Sequence, residues 1–550
     1  MIQAHRVGVS SFLFEGELAL TDSRSYVAHA TTSGLPRSVL SAPFPKAVSK
    51  KVYIESYGCQ MNHSDSEIVA SILAKDGYTT AATAEEADLV LLNTCSIREK
   101  AEYTVMQRIN EMNALKAKKR GMKVGVLGCM AERMREDLLE KKKVVDLVVG
   151  PDAYRSLPLL LDEVESGQKA VNVLLSREET YAEIEPVRLD SNGVTAFVTI
   201  MRGCDNMCAF CVVPFTRGRE RSRDPQSIVN ECRQLVAKGY KEVTLLGQNV
   251  DSYKWSSSPT PSPKEKGLLP TGIPGESHSS PLLGFVTSSA VEFVTSSAVE
   301  KGAGAVDFAD LLSMVAEVSP ALRVRYSTSH PKDMTDKVLA VMTRHANICK
   351  YVHLPVQSGS SEVLKRMNRG YTREWYLERI ASIRKHMPGA AISTDIITGF
   401  CGETEEDHQQ TLSLMEEVRF DMAFMFKYSE RPKTLAARKY PDDVPEEVKS
   451  RRLQEVIATL NRTAGDLRRN AVGEERVVLV EGESKRSADF MYGRDDQYTT
   501  VIVPRVVGAT EIKAGDLVRV RILSGTAASL KGEVIDVIMH PAAMESLSIA

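Results

Sequence analysis

Short apolar runs alternate six times with helical segments between residues 195 and 428, and this pattern constrains the fold more than any other feature. The runs are rich in β-branched and aromatic residues, as strands are, and they lie at 195–201, 241–246, 322–327, 351–354, 391–397 and 422–428. Helical segments such as 225–238 and 374–385 lie between them. Six β–α repeats predict a parallel (β/α) barrel or part-barrel, whose functional site forms at the carboxyl ends of the strands.

A shorter block of the same kind precedes this one. Strands are predicted at 52–57, 88–93 and 123–127, with helical segments such as 64–76 between them. They indicate an α/β domain with a parallel sheet. After residue 441 a charged helical stretch, 445–470, leads into short strands that indicate a small all-β module, at 476–481, 499–504 and 516–523. We therefore expect an α/β chain with domains at 51–170, 190–440 and 472–540, and a helical connection at 441–471.

Two segments are expected to carry no chemistry. The first 50 residues are poor in acids and rich in Ser, with scattered Arg, which favours an organellar transit peptide over an ordinary disordered tail. Residues 256–305 are rich in Ser, Pro and Gly, and the octamer FVTSSAVE at 285–292 is repeated without change at 293–300. This composition indicates a disordered insertion, or else a retained intron or faulty gene model.

Composition excludes several classes of protein. Nine cysteines in 550 residues are too few for a disulfide scaffold. The net charge of -2 means that any surface for nucleic acid must be local. The sequence has no apolar run of about 18 residues or more, so we expect no membrane span.

Three cysteines with the spacing C-x₃-C-x₂-C follow the first strand of the six-fold repeat, and they are Cys204, Cys208 and Cys211. Thiolates are the usual ligands of iron–sulfur clusters, which commonly take four, so three leave one iron open to a substrate. A zinc site is the alternative, but it would normally need a fourth Cys or His nearby. The position at the carboxyl end of a barrel strand favours the cluster.

Three further cysteines each come just after a predicted strand of the N-terminal domain. They are Cys59, Cys95 and Cys129, in the contexts Tyr-Gly-Cys, Asn-Thr-Cys and Leu-Gly-Cys. Because the carboxyl ends of parallel strands lie on one edge of the sheet, these thiols are expected to converge. They would form a second set of three ligands with an open metal position. The alternative, three unrelated core residues, does not explain the repeated placement after a strand.

The sequence resembles the MiaB-type methylthiotransferases, a family of the radical S-adenosylmethionine superfamily. The resemblance covers about residues 51–540 apart from the insertion, and it rests on motifs at 57–62 (YGCQMN), 92–101 (LNTCSIREKA), 128–131 (GCMA), 201–221 (MRGCDNMCAFCVVPFTRGRER), 243–250 (VTLLGQNV), 353–361 (HLPVQSGSS) and 394–400 (TDIITGF). It implies an N-terminal methylthiotransferase domain with a parallel sheet, a radical (β/α) part-barrel and a C-terminal TRAM domain, a small β-barrel.

Two features of the resemblance point to a branch of the family. Gln60-Met61-Asn62 is similar to the branch that modifies isopentenyladenosine in tRNA at position 37. It argues against the branches that act on threonylcarbamoyladenosine or on a ribosomal protein. Cys401 and the acidic stretch 442–447 are similar to eukaryotic mitochondrial members, first named for binding a kinase activator. We therefore expect a mitochondrial enzyme, with the chloroplast as the alternative compartment. A non-enzymatic regulatory protein is a further alternative, but the presence of all six cysteines argues against it.

The resemblance also implies the cofactors and the chemistry. One 4Fe–4S cluster would be held by Cys204, Cys208 and Cys211, and its open iron would bind S-adenosylmethionine. An electron from this cluster would release a 5′-deoxyadenosyl radical, and the radical would take hydrogen from C2 of the adenine. Cys59, Cys95 and Cys129 would hold a second 4Fe–4S cluster that presents sulfur, and a second S-adenosylmethionine would supply the methyl group. We expect tRNA as partner, an electron donor such as a ferredoxin or flavodoxin system, no membrane partner, and a monomer.

The remaining candidates carry less information. Four polar residues at strand ends, where cofactor contacts would fall, are equally typical of caps and turns, and they are Gln248, Asn249, Ser358 and Asp395. Four arginines after the cluster loop either approach RNA phosphates or form a solvated face, and they are Arg217, Arg219, Arg221 and Arg223. Cys232 and Cys349 are expected to be structural.

Overall fold

The structure is a computed structural model that describes residues 49–96, 99–189, 192–256 and 305–538. Residues 1–48 of the expected transit peptide and residues 257–304 of the expected insertion lie outside the described residues. The described part forms three domains, and the expected fold class is confirmed.

The N-terminal domain is a six-stranded parallel sheet with the order β2-β1-β3-β4-β5-β6. Its strands are β1 (Lys51–Ser56), β2 (Thr79–Thr80), β3 (Leu89–Thr94), β4 (Lys123–Gly128), β5 (Leu147–Val149) and β6 (Ala170–Asn172). Its helices are α1 (Gln60–Lys75), α2 (Glu99–Lys118), α3 (Cys129–Met134), α4 (Glu136–Lys141) and α5 (Leu157–Glu165). Strand β3 is buried along its whole length, because helices cover both faces of a central parallel strand.

The core of this domain extends beyond residue 170, the expected boundary. Tyr181 and Ile184 are buried in the same cluster as the β1 and α1 residues. The hydroxyl of Tyr181 donates to the carbonyl of Pro151 (3.0 Å) and accepts from the backbone N–H of Tyr154 (3.1 Å). The chain between the first two domains is therefore packed against the N-terminal sheet rather than lying free as a linker.

The central domain contains the predicted six parallel strands in two sheets of three. Its strands are β7 (Thr195–Thr199), β8 (Met201–Arg202), β9 (Arg221–Ser222), β10 (Glu242–Leu246), β11 (Lys254–Trp255), β12 (Val306–Asp307), β13 (Arg323–Ser327), β14 (Tyr351–His353), β15 (Ala391–Thr398) and β16 (Met422–Lys427). The sheets have the orders β13-β10-β7 and β14-β15-β16. Backbone hydrogen bonds between Val324 and Cys349 (2.9 Å) and between His353 and Ser329 (3.3 Å) join them into a part-barrel.

The described part of the central domain has eight α-helices. They are α6 (Val213–Thr216), α7 (Pro225–Ala237), α8 (Phe308–Ala316), α9 (Asp336–Arg344), α10 (Ser361–Arg366), α11 (Arg373–His386), α12 (Glu405–Val418) and α13 (Leu435–Lys439). Side-chain caps fix several of their starts. Asp224 precedes Pro225, the first residue of α7, and its carboxylate accepts from the backbone N–H of Ser227. At the start of α12, Thr404 forms a reciprocal capping box with Asp407.

The C-terminal domain follows the long helix α14 (Glu446–Asn470) and is a closed five-stranded barrel with the order β17-β18-β19-β23-β22. Its strands are β17 (Glu475–Glu483), β18 (Phe490–Asp495), β19 (Thr500–Pro504), β22 (Leu517–Gly525) and β23 (Ser529–Ile538), with a small side ladder of β20 (Val506–Val507) and β21 (Thr510–Glu511). It docks at the amino ends of the part-barrel strands. There Arg325 donates to the carbonyl of Asp495 (2.6 Å) and Tyr351 stacks on Tyr498.

Among the described helices, none is long and apolar enough to cross a lipid bilayer.

Candidate active site

The cysteines of the N-terminal domain converge at one edge of its sheet, as the sequence predicts. Cys59 follows β1 at the start of α1, Cys95 follows β3, and Cys129 is the first residue of α3 after β4. The three strands are neighbours in the sheet. The pKa of the Cys59 thiol falls to about 6, first because of its contact with the Cys95 thiol and against the effect of burial. We call these three residues the sheet-edge cysteines.

Glycines allow the strand ends to approach so closely. Gly58 has a φ of +105°, and a Cβ placed there would lie 2.2 Å from the Cβ of Cys95. Gly128 has a φ of +87°, and its Cβ would lie 2.4 Å from the side-chain oxygen of Asn93. Both positions combine a left-handed backbone with close contact, so only glycine fits without movement of the neighbours.

The cysteines of the C-x₃-C-x₂-C motif, which we call the loop cysteines, lie at the carboxyl end of the first barrel strand. The short β8–β9 hairpin holds the start of their loop, because the backbone N–H of Cys204 donates to the carbonyl of Gly218 (3.1 Å). The N–H of Cys211 donates to the carbonyl of Cys208 (3.0 Å), which closes a turn. The guanidinium of Arg369 donates to the Cys208 sulfur (3.1 Å). Sequence reasoning missed Arg369, which is distant in the chain and belongs to none of the motifs that the resemblance rests on.

The two sets of cysteines share one junction between the domains. Helix α3, which begins at Cys129, packs against α6, which follows the loop cysteines directly. Burial raises the pKa of the Cys211 thiol to about 12, and Cys208 and Cys129 both add to this rise. Cys129 therefore lies close enough to Cys211 for their charges to interact.

The donor sets fit iron–sulfur clusters. Each offers three sulfur atoms, and all six cysteines are buried or half-buried. Burial raises the pKa of the Cys129, Cys204 and Cys211 thiols, so these three favour the neutral form unless a cation is bound. A bound metal ion reverses this preference, because its charge deprotonates a coordinating thiol outright.

A buried network of ion pairs joins the two domains beside the sheet-edge cysteines. Asp65 of α1 accepts from Arg202 of β8 (2.7 Å) and from Arg217 (2.8 Å). Burial alone would raise the pKa of Asp65, but the two guanidiniums outweigh it and hold the pKa below its usual value. Arg221 pairs with Asp152 (2.9 Å) in the same region.

Both expectations for the arginine run are therefore wrong for three of its four members. Arg217, Arg221 and Arg223 are buried, and each bonds a carboxylate. They neither reach RNA phosphates nor form a solvated face. Arg219 alone of the four is exposed, with 75% of its side chain accessible. Arg217 and Arg221 reach carboxylates of the N-terminal domain, whereas Arg223 pairs with Glu231 of the central domain.

Two of the four cofactor candidates, Gln248 and Asn249, follow the carboxyl end of β10 and carry buried side-chain oxygens. Asn249 donates to the carboxylate of Asp333 (2.7 Å), which leaves its own carbonyl oxygen without a partner among the described residues. The side-chain oxygen of Gln248 is likewise buried and has no donor within the described chain. Asp251 completes the group, and burial raises its pKa to about 7.

Asp251 is a residue that sequence reasoning missed, although it stands only three positions after Gln248. Three polar side chains within four residues after a barrel strand were the available signal. Together the acceptors fit a ligand rich in N–H donors, such as the ammonium group of S-adenosylmethionine, which brings three donors and a positive charge. Among the described residues the side-chain oxygens of Gln248 and Asn249 have no donor, which is costly in an interior.

The other two candidates lie apart from this group. The hydroxyl of Ser358 is buried against Thr411 and accepts from the backbone N–H of Ser360 (3.2 Å), so its position favours a local turn over a cofactor contact. Asp395, on β15, is partly exposed, and its carboxylate lies 3.6 Å from the Nε2 atom of His353. Cys232 and Cys349 are buried in the central domain, away from the two cysteine sets.

Sequence models of three families match successive parts of the chain. The Uncharacterized protein family UPF0004 matches residues 51–150, the Radical SAM superfamily matches residues 198–415, and the TRAM domain matches residues 469–535. Each of the six cysteines falls within the first or second match.

Curated bacterial proteins are similar over almost the whole chain. The tRNA-2-methylthio-N(6)-dimethylallyladenosine synthase of Christiangramia forsetii is 54% identical over 492 residues, which are 89% of this chain and 95% of that protein. The synthases of Amoebophilus asiaticus and Bacteroides thetaiotaomicron are 53% and 51% identical; both matches cover 88% of this chain and cover 93% and 96% of those proteins. The chain therefore belongs to the MiaB-type methylthiotransferase family of the radical S-adenosylmethionine superfamily.

Proposed function

We propose that this protein is a tRNA-2-methylthio-N(6)-dimethylallyladenosine synthase, which adds a methylthio group at C2 of N6-isopentenyladenosine at position 37 of tRNA. The observation that carries the proposal is the meeting of the sheet-edge cysteines and the loop cysteines at one domain junction. A reaction that joins a radical step to sulfur insertion needs both centres beside the same base. The relatives that share the three domains carry this activity in their names.

The residues divide the work between two centres. The loop cysteines would hold one 4Fe–4S cluster and the sheet-edge cysteines would hold the other. When bound, the clusters and S-adenosylmethionine supply the electron, the adenosyl radical, the sulfur and the methyl group. The protein supplies placement and exclusion of water.

The surroundings of each centre follow from this division. Gln248, Asn249 and Asp251 offer the acceptors that orient the ammonium end of S-adenosylmethionine. Arg369 donates to the Cys208 sulfur and so holds this ligand in place. The buried pairs of Asp65 with Arg202 and Arg217 fix the sheet-edge cysteines relative to the barrel, because they join α1 to the loops after β7.

The test is a reaction of the purified, anaerobically reconstituted full-length protein with two tRNAs that differ only in the isopentenyl group. Mass spectrometry of the digested nucleosides should show the methylthio product on the isopentenylated tRNA and none on its unmodified counterpart. Threonylcarbamoyladenosine tRNA and a ribosomal protein serve as competing substrates. Product on either of these, with none on isopentenyladenosine, would overturn the assignment.

We propose separately that the protein works in an organelle, which we assign as the mitochondrion, with the chloroplast as the alternative. The proposal rests on the acid-poor, Arg- and Ser-containing first 50 residues and on Cys401 with the acidic stretch 442–447. The relatives named above are bacterial and give it no support. A fusion of residues 1–50 to a fluorescent protein should enter mitochondria and be shortened there. A fusion that stays in the cytosol would contradict the proposal.

We also propose that the protein acts as a monomer and receives electrons from a ferredoxin or flavodoxin system. Both sets of cysteines come from one chain, so no second copy is required to complete the site. Light scattering of the reconstituted protein should give the mass of one chain. Turnover should continue when reduced flavodoxin or reduced ferredoxin replaces a chemical reductant. No turnover with either carrier would refute the donor assignment.

A further inference from the structure

Arg217 comes from the central domain but lies against the cysteines of the N-terminal domain. It is buried, and its Nη2 atom donates to the side-chain oxygen of Asn62 (2.8 Å) and to the carboxylate of Asp65 (2.8 Å). Both acceptors belong to α1, the helix that begins just after Cys59. The guanidinium is thus held by the element that carries one of the sheet-edge cysteines.

The other end of the guanidinium is free of oxygen acceptors. Its Nη1 atom is buried and has no hydrogen-bond partner in the described part of the protein. Burial raises the pKa of the Cys129 thiol, and the Arg217 charge opposes that rise. The Cys59 thiol contacts the same Asn62 oxygen (3.8 Å) that accepts from Arg217. Helix α3, which begins at Cys129, packs against α6, which ends just before Arg217. The unsatisfied N–H group and the sheet-edge sulfurs therefore share one buried space.

The charge balance of the buried ion-pair network also favours an anionic group beside Arg217. Three buried guanidiniums, those of Arg202, Arg217 and Arg221, face two carboxylates, those of Asp65 and Asp152. An excess of buried positive charge is costly unless an anionic group lies beside it. A cluster bound by three thiolates is such a group.

We propose that Arg217 is a positioning residue for the cluster of the sheet-edge cysteines, and that its free N–H group donates to the Cys129 sulfur and raises the reduction potential of that cluster. The proposal rests on the two-cluster assignment given above. Hydrogen bonds to the sulfurs and local charge are among the factors that set such potentials. A purely structural role needs only Nη2, because Nη2 already makes both contacts with α1.

The test measures the midpoint potential of this cluster by itself. In the full-length chain, Ala at Cys204, Cys208 and Cys211 leaves the sheet-edge cluster as the sole centre, and redox titration followed by electron paramagnetic resonance gives its potential. Arg217→Gln should retain about four irons per chain, as expected for one cubane, and shift the potential to more negative values. Arg217→Lys, which keeps the charge, should shift it in the same direction by less.

Arg223→Gln is the matched control. Arg223 is also buried, but its guanidinium pairs with Glu231 of the central domain and not with α1, so its loss should leave the potential unchanged. An unchanged potential in Arg217→Gln would overturn the tuning role, as would loss of the cluster from both Arg217 variants, which would make the residue purely structural. A parent variant that binds no cluster would instead overturn the two-cluster assignment, and this proposal with it.

Discussion

A single methyl group at Gly58 should remove the cluster of the sheet-edge cysteines. The Cβ of Gly58→Ala would lie 2.2 Å from the Cβ of Cys95 and 2.9 Å from its sulfur. Carbon atoms in ordinary contact are about 3.5–4.0 Å apart, so Cys95 must retreat by roughly 1.3 Å. Metal–ligand distances tolerate only about 0.2 Å. The displaced thiolate should therefore be lost as a ligand.

Backbone strain contributes separately to this variant. At a φ of +105° an alanine costs on the order of 1–3 kcal/mol. Gly121→Ala is the matched control, because Gly121 has a φ of +94° in the same domain but a Cβ there meets nothing within 4 Å. Both variants should lower the unfolding temperature of the apoprotein through backbone strain, and Gly58→Ala should lower it further through its clash with Cys95. They should differ in iron content and in methylthio product.

The assay is iron and sulfide per chain after anaerobic reconstitution. Gly58→Ala should fall from about eight to about four irons, following cubane stoichiometry, while Gly121→Ala keeps about eight. Gly58→Ala should still cleave S-adenosylmethionine, since the loop cysteines are untouched. Full iron content and undiminished methylthiolation in Gly58→Ala would refute the steric argument.

Three other changes give separate checks. Cys208→Ala should abolish 5′-deoxyadenosine production, because the cluster that binds S-adenosylmethionine loses a ligand; undiminished production would defeat the radical assignment. Deleting residues 257–304 should leave activity nearly intact. Trp255 pairs with Val306 and so holds the two ends of this segment together, and each halving of loop length changes the closure free energy by only about 0.6 kcal/mol. Loss of soluble protein would contradict this prediction. Asp65→Asn should destabilise the domain junction by about 3–5 kcal/mol, because two buried guanidiniums lose their shared charge partner; an unchanged unfolding midpoint would show that the network contributes little.

Much of the architecture follows from local pattern. The six barrel strands were predicted to within about two residues, because a buried parallel strand is a continuous apolar run with clear ends. The convergence of Cys59, Cys95 and Cys129 followed from topology, since parallel strands place their carboxyl ends on one edge. Strands β18 and β23 were not predicted. In both strands buried residues alternate with more accessible ones, a weaker signal than a continuous apolar run.

The arginine network could not be predicted in the same way. Whether Arg217 faces solvent or lies buried depends on Asp65, a carboxylate from another domain and 152 positions away in the chain. A guanidinium is buried only where such a partner is supplied, and the local sequence does not contain that information. The same holds for Arg369 and Cys208, which are 161 positions apart. The local sequence predicts the sulfur ligands, but it does not predict the arginine side chains that lie beside them.

The most direct test of the account is the combined replacement of Cys59, Cys95 and Cys129 by Ala. Iron content should fall from about eight to about four per chain, because only the cluster of the loop cysteines remains. The variant should still cleave S-adenosylmethionine reductively and should form no methylthio product on isopentenylated tRNA. If it keeps its full iron content, or still methylthiolates tRNA, the assignment of two clusters with separate tasks is wrong.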